Sequence, residues 1–141
     1  MSVKYTIDLE HKVIIWIQSG KIKDEEIIAA DTEFRKNQAV KPDFNFLADL
    51  TYAASEMRST EMLRELAQRD KNWRENVNSK IAVLAPRDIT YGFARMYQVY
   101  SGESNDNYRI FRDAQEAVDW LGIPMSVLEK ARADMAVDSG K

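Results

Sequence analysis

The sequence predicts an α/β domain with a five-stranded, mostly parallel sheet and an antiparallel first strand, in the order β-β-α-β-α-β-α-β-α plus a C-terminal helix. Apolar runs typical of strands alternate with segments of helical periodicity, which is the pattern of repeated βα units. The connection between the first two strands, residues 10–12, is only three residues long, so these strands are expected to form an antiparallel hairpin. The later strands are separated by helices and are expected to run parallel.

The first two strands differ in their hydrophobic pattern. From Val3 to Leu9 apolar and polar residues alternate, as in an edge strand with one covered face. Residues 13–17 are apolar without a break, as in a strand covered by helices on both sides, and Gly20 ends this strand. The hairpin therefore predicts one edge of the sheet and its inner neighbour.

Two βα units follow the hairpin. Asp24 is expected to cap a helix that runs to about Asn37 and precedes a strand at 44–51, with inward residues Ile27, Ile28, Ala30 and Phe34. A second helix is expected to start near Ser59 and Thr60 and to bury Met62, Leu63, Leu66, Ala67 and Trp73. A buried strand at 80–85 then ends at Pro86.

A third helix is predicted after Asp88, with an inward stripe made of Ile89, Phe93, Met96 and Tyr100. Gly92 is placed on the same face. Because glycine inside a helix costs about 1 kcal/mol relative to alanine, a close approach to the sheet is the expected reason for it.

The C-terminal part predicts a short strand at 108–111 and two helices. Residues 113–116 have the form of a capping box, and Gly122 is expected to end the helix that follows. Pro124 can open the last helix, which carries Val127, Leu128 and Ala131. We expect a single domain over 1–136 and a disordered tail over 137–141.

Composition excludes several classes of function. The chain has 141 residues, of which 45% are hydrophobic and 30% charged, with a mean hydropathy of −0.48. This favours a cytoplasmic protein with no integral membrane segment. The net charge of −3, with both signs intermixed, argues against a nucleic-acid partner. The absence of cysteine excludes disulfides and thiolate metal sites.

Several segments carry a resemblance to a known fold, namely 46–51, 81–86, 91–97, 111–113 and 116–121. Together they resemble the SpoIIAA-like (STAS-like) domains over about residues 3–122, and specifically the stand-alone bacterial members. The fold is shared with Sec14-type lipid-carrier domains, so the resemblance implies either regulation through a protein partner or binding of a hydrophobic molecule.

The resemblance also bears on phosphorylation. In the anti-sigma-factor antagonists of this fold, an Asp-Ser-Ser-Gly-type turn after the equivalent of the 44–51 strand presents a phosphorylatable serine. Ser59 and Thr60 are the nearest counterparts here, although no glycine follows them. Both hydroxyls are also explained by capping of the second helix.

A candidate ligand site lies at the predicted carboxyl ends of the strands, where parallel βα units usually bind ligands. Asp49 is expected there, and the third helix places Asp88, Tyr91 and Arg95 on one face at offsets of three and seven. Arg95 would meet an anionic head group. The structural alternative is that Asp88 caps its helix and Asp49 is a hydrogen-bonded core carboxylate.

No residue pattern predicts a catalytic, metal or cofactor site. The single histidine, His11, is placed in the hairpin turn, and the five glycines are isolated, so no phosphate-binding loop is present. We therefore expect a non-enzymatic regulatory or binding domain that acts through a protein partner or as a homodimer. The alternative is a carrier of a lipid-like or other hydrophobic anionic small molecule, and a weaker one is an enzyme that uses Asp49 or Asp88 with a tyrosine. The sequence leaves open whether the core is filled or hollow.

Overall fold

The computed structural model describes residues 2–54, 58–75, 77–104 and 106–139. Within these residues one sheet has five strands in the order β1-β2-β3-β4-β5, where β1 is antiparallel to β2 and the other neighbours are parallel. The strands are β1 Ser2–Asp8, β2 Val13–Gly20, β3 Asn45–Ala53, β4 Ile81–Leu84 and β5 Tyr108–Phe111. The predicted fold class is confirmed.

Five helices of the described chain cover the two faces of this sheet. They are α1 Asp24–Lys36, α2 Thr60–Trp73, α3 Asp88–Ser101, α4 Ala114–Leu121 and α5 Met125–Ser139. Alternate residues of each strand point to opposite faces, so the register Ile14↔Phe46↔Ile81 lines one face and Ile15↔Leu47↔Ala82 lines the other. The first face meets α1, α2 and α3, and the second meets α4 and α5.

The layer beneath α4 and α5 is a continuous hydrophobic core. Val118 and Leu128 are fully buried against Ile15 and Leu47, which are also fully buried. The predicted inward residues of α5, Val127, Leu128 and Ala131, all belong to this cluster. Residue Ser139 ends α5, so the helix enters the segment predicted as a disordered tail, and 140–141 lie outside the described residues.

Two predicted caps are confirmed and two are corrected. The Ser59 and Asp113 side chains each accept a bond of 3.0 Å from a backbone N–H at the start of α2 and α4. Asp24 and Asp88 are instead the first residues inside α1 and α3, after Lys23 and Arg87. Their carboxylates bind arginines while still lying at the positive end of a helix.

The predicted role of Gly92 is wrong. No atom outside its own helix backbone and chain neighbours lies within 4 Å of where a Cβ would stand, so Gly92 faces open space. The face of α3 that meets the sheet carries Thr90 and Ala94, which are buried. The larger Phe93 and Met96, predicted to face the sheet, pack against α2 and α1 instead.

Candidate functional site

A cavity of about 180 Å³ lies between the sheet and helices α1, α2 and α3. Its walls are mainly apolar and include Trp16, Phe34, Phe46, Leu63, Leu66 and Phe93. For comparison, an apolar cavity of about 150 Å³ can hold benzene. The packing on this face of the sheet therefore leaves space that a small molecule could occupy.

Aromatic contacts explain why this space does not close. The Phe34 ring meets the rings of Trp16, Phe46 and Trp73 at centroid distances of 5.5, 5.8 and 5.8 Å, in edge-to-face arrangements. Such contacts fix ring orientations. The sheet and α3 contribute short side chains to the same lining, including Ala48 and Ala94. The edge-to-face contacts fix the rings in place, and the alanines opposite them are too short to reach across. The space between them therefore stays open.

Charged residues from α1 and α2 form a polar end of the cavity. Asp31 and Arg35 on α1 and Asp70 on α2 line it together with Arg74, which follows α2. The Nε of Arg35 donates to Asp31 Oδ2 at 2.9 Å. The Arg74 guanidinium donates to the backbone oxygen of Ser79 and lies 3.3 Å from Glu103 Oε1. Both arginines thus enter the lining already paired with carboxylates.

Asp70 lies between the two arginines but is poorly bonded to them. Its Oδ1 is 3.6 Å from Arg35 Nη2 and its Oδ2 is 3.9 Å from Arg74 Nη1, which is ion-pair range but too long for a hydrogen bond. Burial raises the pKa of Asp70, and the nearby positive charges of Arg74 and Arg35 only partly oppose this. Among the described residues, Asp70 Oδ2 and Arg35 Nη1 are the buried side-chain polar atoms that have no hydrogen-bond partner.

Two tyrosine hydroxyls of the lining have hydrogen-bond partners. Tyr97 Oη donates to the Leu66 carbonyl at 3.3 Å, and Tyr108 Oη donates to the Ala94 carbonyl at 2.8 Å. Burial raises the pKa of Tyr97 well above its ordinary value, so its phenol stays neutral. The hydroxyl groups of both tyrosines are therefore already hydrogen-bonded within the protein.

Asp49, predicted as part of the ligand site, lies on the opposite face of the sheet. It is fully buried, and its carboxylate accepts bonds from Arg132 Nε at 2.8 Å and from Thr51 Oγ1 at 2.6 Å. Strand alternation explains the placement, because Asp49 is in register with Ile17 and Leu84, which face α4 and α5. Here Asp49 anchors α5 to β3, as the structural alternative expected.

The other three predicted site residues stay together on α3, away from the cavity. Arg112 lies 2.9 Å from Asp88 Oδ1, and its guanidinium stacks 4.4 Å from the centre of the Tyr91 ring. Tyr91 and Arg95 border an open depression formed with Gln98, Arg109, Ile110 and Phe111. The structure thus does not bring Asp49 together with Asp88, Tyr91 and Arg95, and their role in binding stays a prediction.

Ser59 acts as the N-cap of α2, and Thr60 is the first residue of that helix. Phosphorylation of either residue stays a prediction. His11 lies in the hairpin turn as expected, with Nδ1 3.1 Å from Asp8 Oδ1. Within the described chain we find no group of three or more histidine, aspartate or glutamate side chains that could hold a metal ion. The described helices also include none with the length and apolar character needed to cross a membrane.

Sequence reasoning missed the charged end of the cavity, although a signal was present. Asp31 and Arg35 are four residues apart on α1, and Asp70 and Arg74 are four apart at the end of α2. Asp31 follows the buried Ile27 by four positions, so it occupies an inward helical position. An aspartate at an inward position, followed by an arginine one turn later, indicates a buried ion pair.

Comparison with known proteins supports the fold. No protein-family profile matches the sequence, and no curated protein matches it. A solved structure does, namely an uncharacterised protein of the DUF3478 family with a SpoIIAA-like fold from Shewanella loihica PV-4. The TM-score is 0.55 at 14% sequence identity, and the match covers 85% of this chain and 92% of the other. The resemblance to the SpoIIAA-like fold is therefore confirmed.

Proposed function

We propose that this protein is a binding domain that holds a small, largely apolar molecule in the cavity between the sheet and α1–α3. The observation that supports it is the cavity itself, whose volume of about 180 Å³ suits a single aromatic ring or a short aliphatic chain. This favours the small-molecule alternative of the sequence interpretation. The cavity does not test action through a protein partner or as a homodimer, which stays a prediction.

The site differs from the one expected for a hydrophobic anion. The sequence predicted that Arg95 would contact the anionic head group of a ligand. The arginines that line the cavity are instead Arg35, Arg58 and Arg74. Each lies within 4 Å of a carboxylate, at distances of 2.9, 3.0 and 3.3 Å for the shortest pairs. The proposed binding energy therefore comes mainly from burial of apolar surface.

The size of the cavity sets the expected affinity. A ring that buries about 200 Å² of apolar surface against the apolar walls gains roughly 5 kcal/mol, at about 25 cal/mol per Å². This corresponds to a dissociation constant of about 0.2 mM before any polar contact is added. Toluene and indole are suitable probes because they match the apolar walls in size and chemistry.

The test is to measure binding of toluene and indole by ligand-observed NMR and by the shift in Tm. We expect both to bind the wild type, and Ala94→Leu to abolish binding because its side chain enters the cavity lined by Ala94. Ala29→Leu is the matched control, since Ala29 is exposed on α1 and adds the same three carbons outside the cavity. If Ala94→Leu does not fold, Ala48→Leu provides a second filling variant from the sheet. Failure of both probes to bind the wild type would refute the proposal.

A further inference from the structure

We propose that the free edge of β5 binds an extended acidic segment of a partner protein, which adds a strand to the sheet. This site lies outside the cavity, so the inference goes beyond the proposed function and does not rest on it. It starts from the position of β5, which is the last strand in the sheet order of the described chain. A sheet edge presents backbone N–H and C=O groups with which an extended chain can pair.

The backbone of Ile110 faces this edge. The carbonyls of Asn107 and Phe111 accept hydrogen bonds from the neighbouring chain of β4, at 2.7 and 2.8 Å. Because successive residues of a strand direct their backbone groups to opposite sides, those of Tyr108 and Ile110 point away from β4. The Tyr108 N–H already donates to the Ser104 carbonyl at 2.9 Å. The part of the edge that can pair with another chain is therefore centred on Ile110.

The open depression between α3 and β5 gives an added strand room for its side chains. Its volume is about 340 Å³. Tyr91, Arg95 and Gln98 line it from α3, at spacings of four and three residues that place them on one face of the helix. From β5 it is lined by Ile110 and Phe111, which are half-buried. A side chain of the added strand can lie in this depression while its backbone pairs with Ile110.

Positive charge at this edge selects an acidic segment. Arg95 and Arg109 both line the depression and are exposed, and its described lining includes no carboxylate. On the α4 side of the sheet, Arg109 and Lys80 lie over the Trp120 ring, each 5.1 Å from its centre. Carboxylates that extend from both faces of an added strand would therefore meet positive charge on each side.

Neighbouring groups leave this preference intact. The Asp88 carboxylate at the start of α3 is paired with Arg112 at 2.9 Å, so these two charges balance each other. A second copy of this chain would bring another Arg109 to the same edge, and like charges at one interface disfavour that occupant. The observations therefore favour a partner of opposite charge.

The probe is the blocked peptide acetyl-Val-Glu-Glu-Val-Glu-Glu-Val-amide, which carries glutamate on both faces when it is extended. Amide-resolved NMR titration of the full chain measures its dissociation constant at low ionic strength. We expect the Ile110 amide to shift and to exchange more slowly with solvent, because its N–H gains a partner.

Backbone pairing is tested with two versions of the peptide, each N-methylated at every second residue, in alternate frames. Only one frame directs its N–H groups to β5. One version should therefore bind about tenfold more weakly, while the other binds as the parent peptide does.

The charge preference is tested with Arg95→Glu. This variant should weaken binding of the glutamate peptide about fivefold and strengthen binding of the corresponding lysine peptide by a similar factor, since weak attraction at an exposed site becomes weak repulsion. Lys130→Glu is the matched control and should change neither, because Lys130 is exposed on α5, on the opposite face of the sheet. Should Arg95→Glu not fold, Arg109→Glu takes its place.

Any of five results overturns the proposal. The first is that the glutamate peptide does not bind the wild type at millimolar concentration, and the second is that the lysine peptide binds as well. The third is that the two methylated peptides bind equally. A dimer in sedimentation, with the Ile110 amide protected before any peptide is added, would assign the edge to a second copy. Tighter binding of a uridine dodecanucleotide, lost in Arg95→Glu, would assign it to nucleic acid.

Discussion

Replacing Arg132 by methionine should lower the free energy of unfolding by about 3 kcal/mol. Arg132 lies on α5 and donates to Asp49 on β3, with an Nε to Oδ2 distance of 2.8 Å. Asp49 has no exposed side-chain surface, whereas the Arg132 side chain is 24% exposed. The variant keeps most of the side-chain length and removes the positive charge that faces a buried carboxylate.

The size of the stability loss depends on the hydrogen bonds that the Asp49 carboxylate keeps in the variant. Removing one partner of a buried ion pair costs about 3–5 kcal/mol. Here Thr51 still donates its N–H and its hydroxyl to Asp49 Oδ1, at 3.1 and 2.6 Å, so the lower end of that range applies. For a domain of this length, a loss of about 3 kcal/mol lowers Tm by about 10 °C.

Urea unfolding followed by tryptophan fluorescence and by far-UV circular dichroism measures the loss. Arg112→Met is the matched control, because Arg112 pairs with Asp88 at the surface, where the two side chains are 49% and 96% exposed. That control should lose less than about 1 kcal/mol. In the double variant Asp49→Asn/Arg132→Met, the combined loss should be smaller than the sum of the single losses. A loss below about 1 kcal/mol for Arg132→Met would refute the reasoning.

Two further predictions concern α3 and the polar end of the cavity. Gly92→Ala should raise the free energy of unfolding by up to about 1 kcal/mol, because alanine favours the helix and its Cβ meets nothing within 4 Å; an unchanged or lower Tm would contradict this. Burial raises the pKa of Asp70 above its ordinary value of 3.8, so the folded chain binds this proton more tightly than the unfolded chain. The free energy of unfolding therefore falls as the pH rises from 3.8 through the pKa of the folded state. Urea titrations from pH 4 to pH 7 should therefore show the wild type losing stability relative to Asp70→Asn, and a constant difference would disprove the assignment.

The order of strands and helices could be predicted from periodicity because each element carries its own pattern. The unbroken apolar run of β2 and the capping residue Ser59 are local signals, and the structure places both as expected. Which face of α3 meets the sheet depends on contacts with other elements and cannot be read from the α3 segment alone. Phe93 and Met96 form an apolar stripe that would suit a sheet or a neighbouring helix equally well, and the structure places them against α2 and α1.

The candidate site depends on contacts between distant parts of the chain. Asp49 and Arg132 are 83 residues apart, so the sequence identified the carboxylate but not its partner. The cavity depends on how side chains from the sheet and three helices fit together, which no single segment encodes. Only the inward aspartates Asp31 and Asp70 offered a local hint of its polar end.

The unequal packing on the two sides of the sheet bears on how such a domain can diverge. Residues that line the cavity and residues that fill the opposite core alternate along the same strands, as Ile14 and Ile15 do on β2. Under the proposed function, substitutions at cavity positions would change which compound is accepted and leave the residues of the layer under α4 and α5 unchanged. Selection for a new ligand and selection for foldability then act on separate sets of residues within one small scaffold.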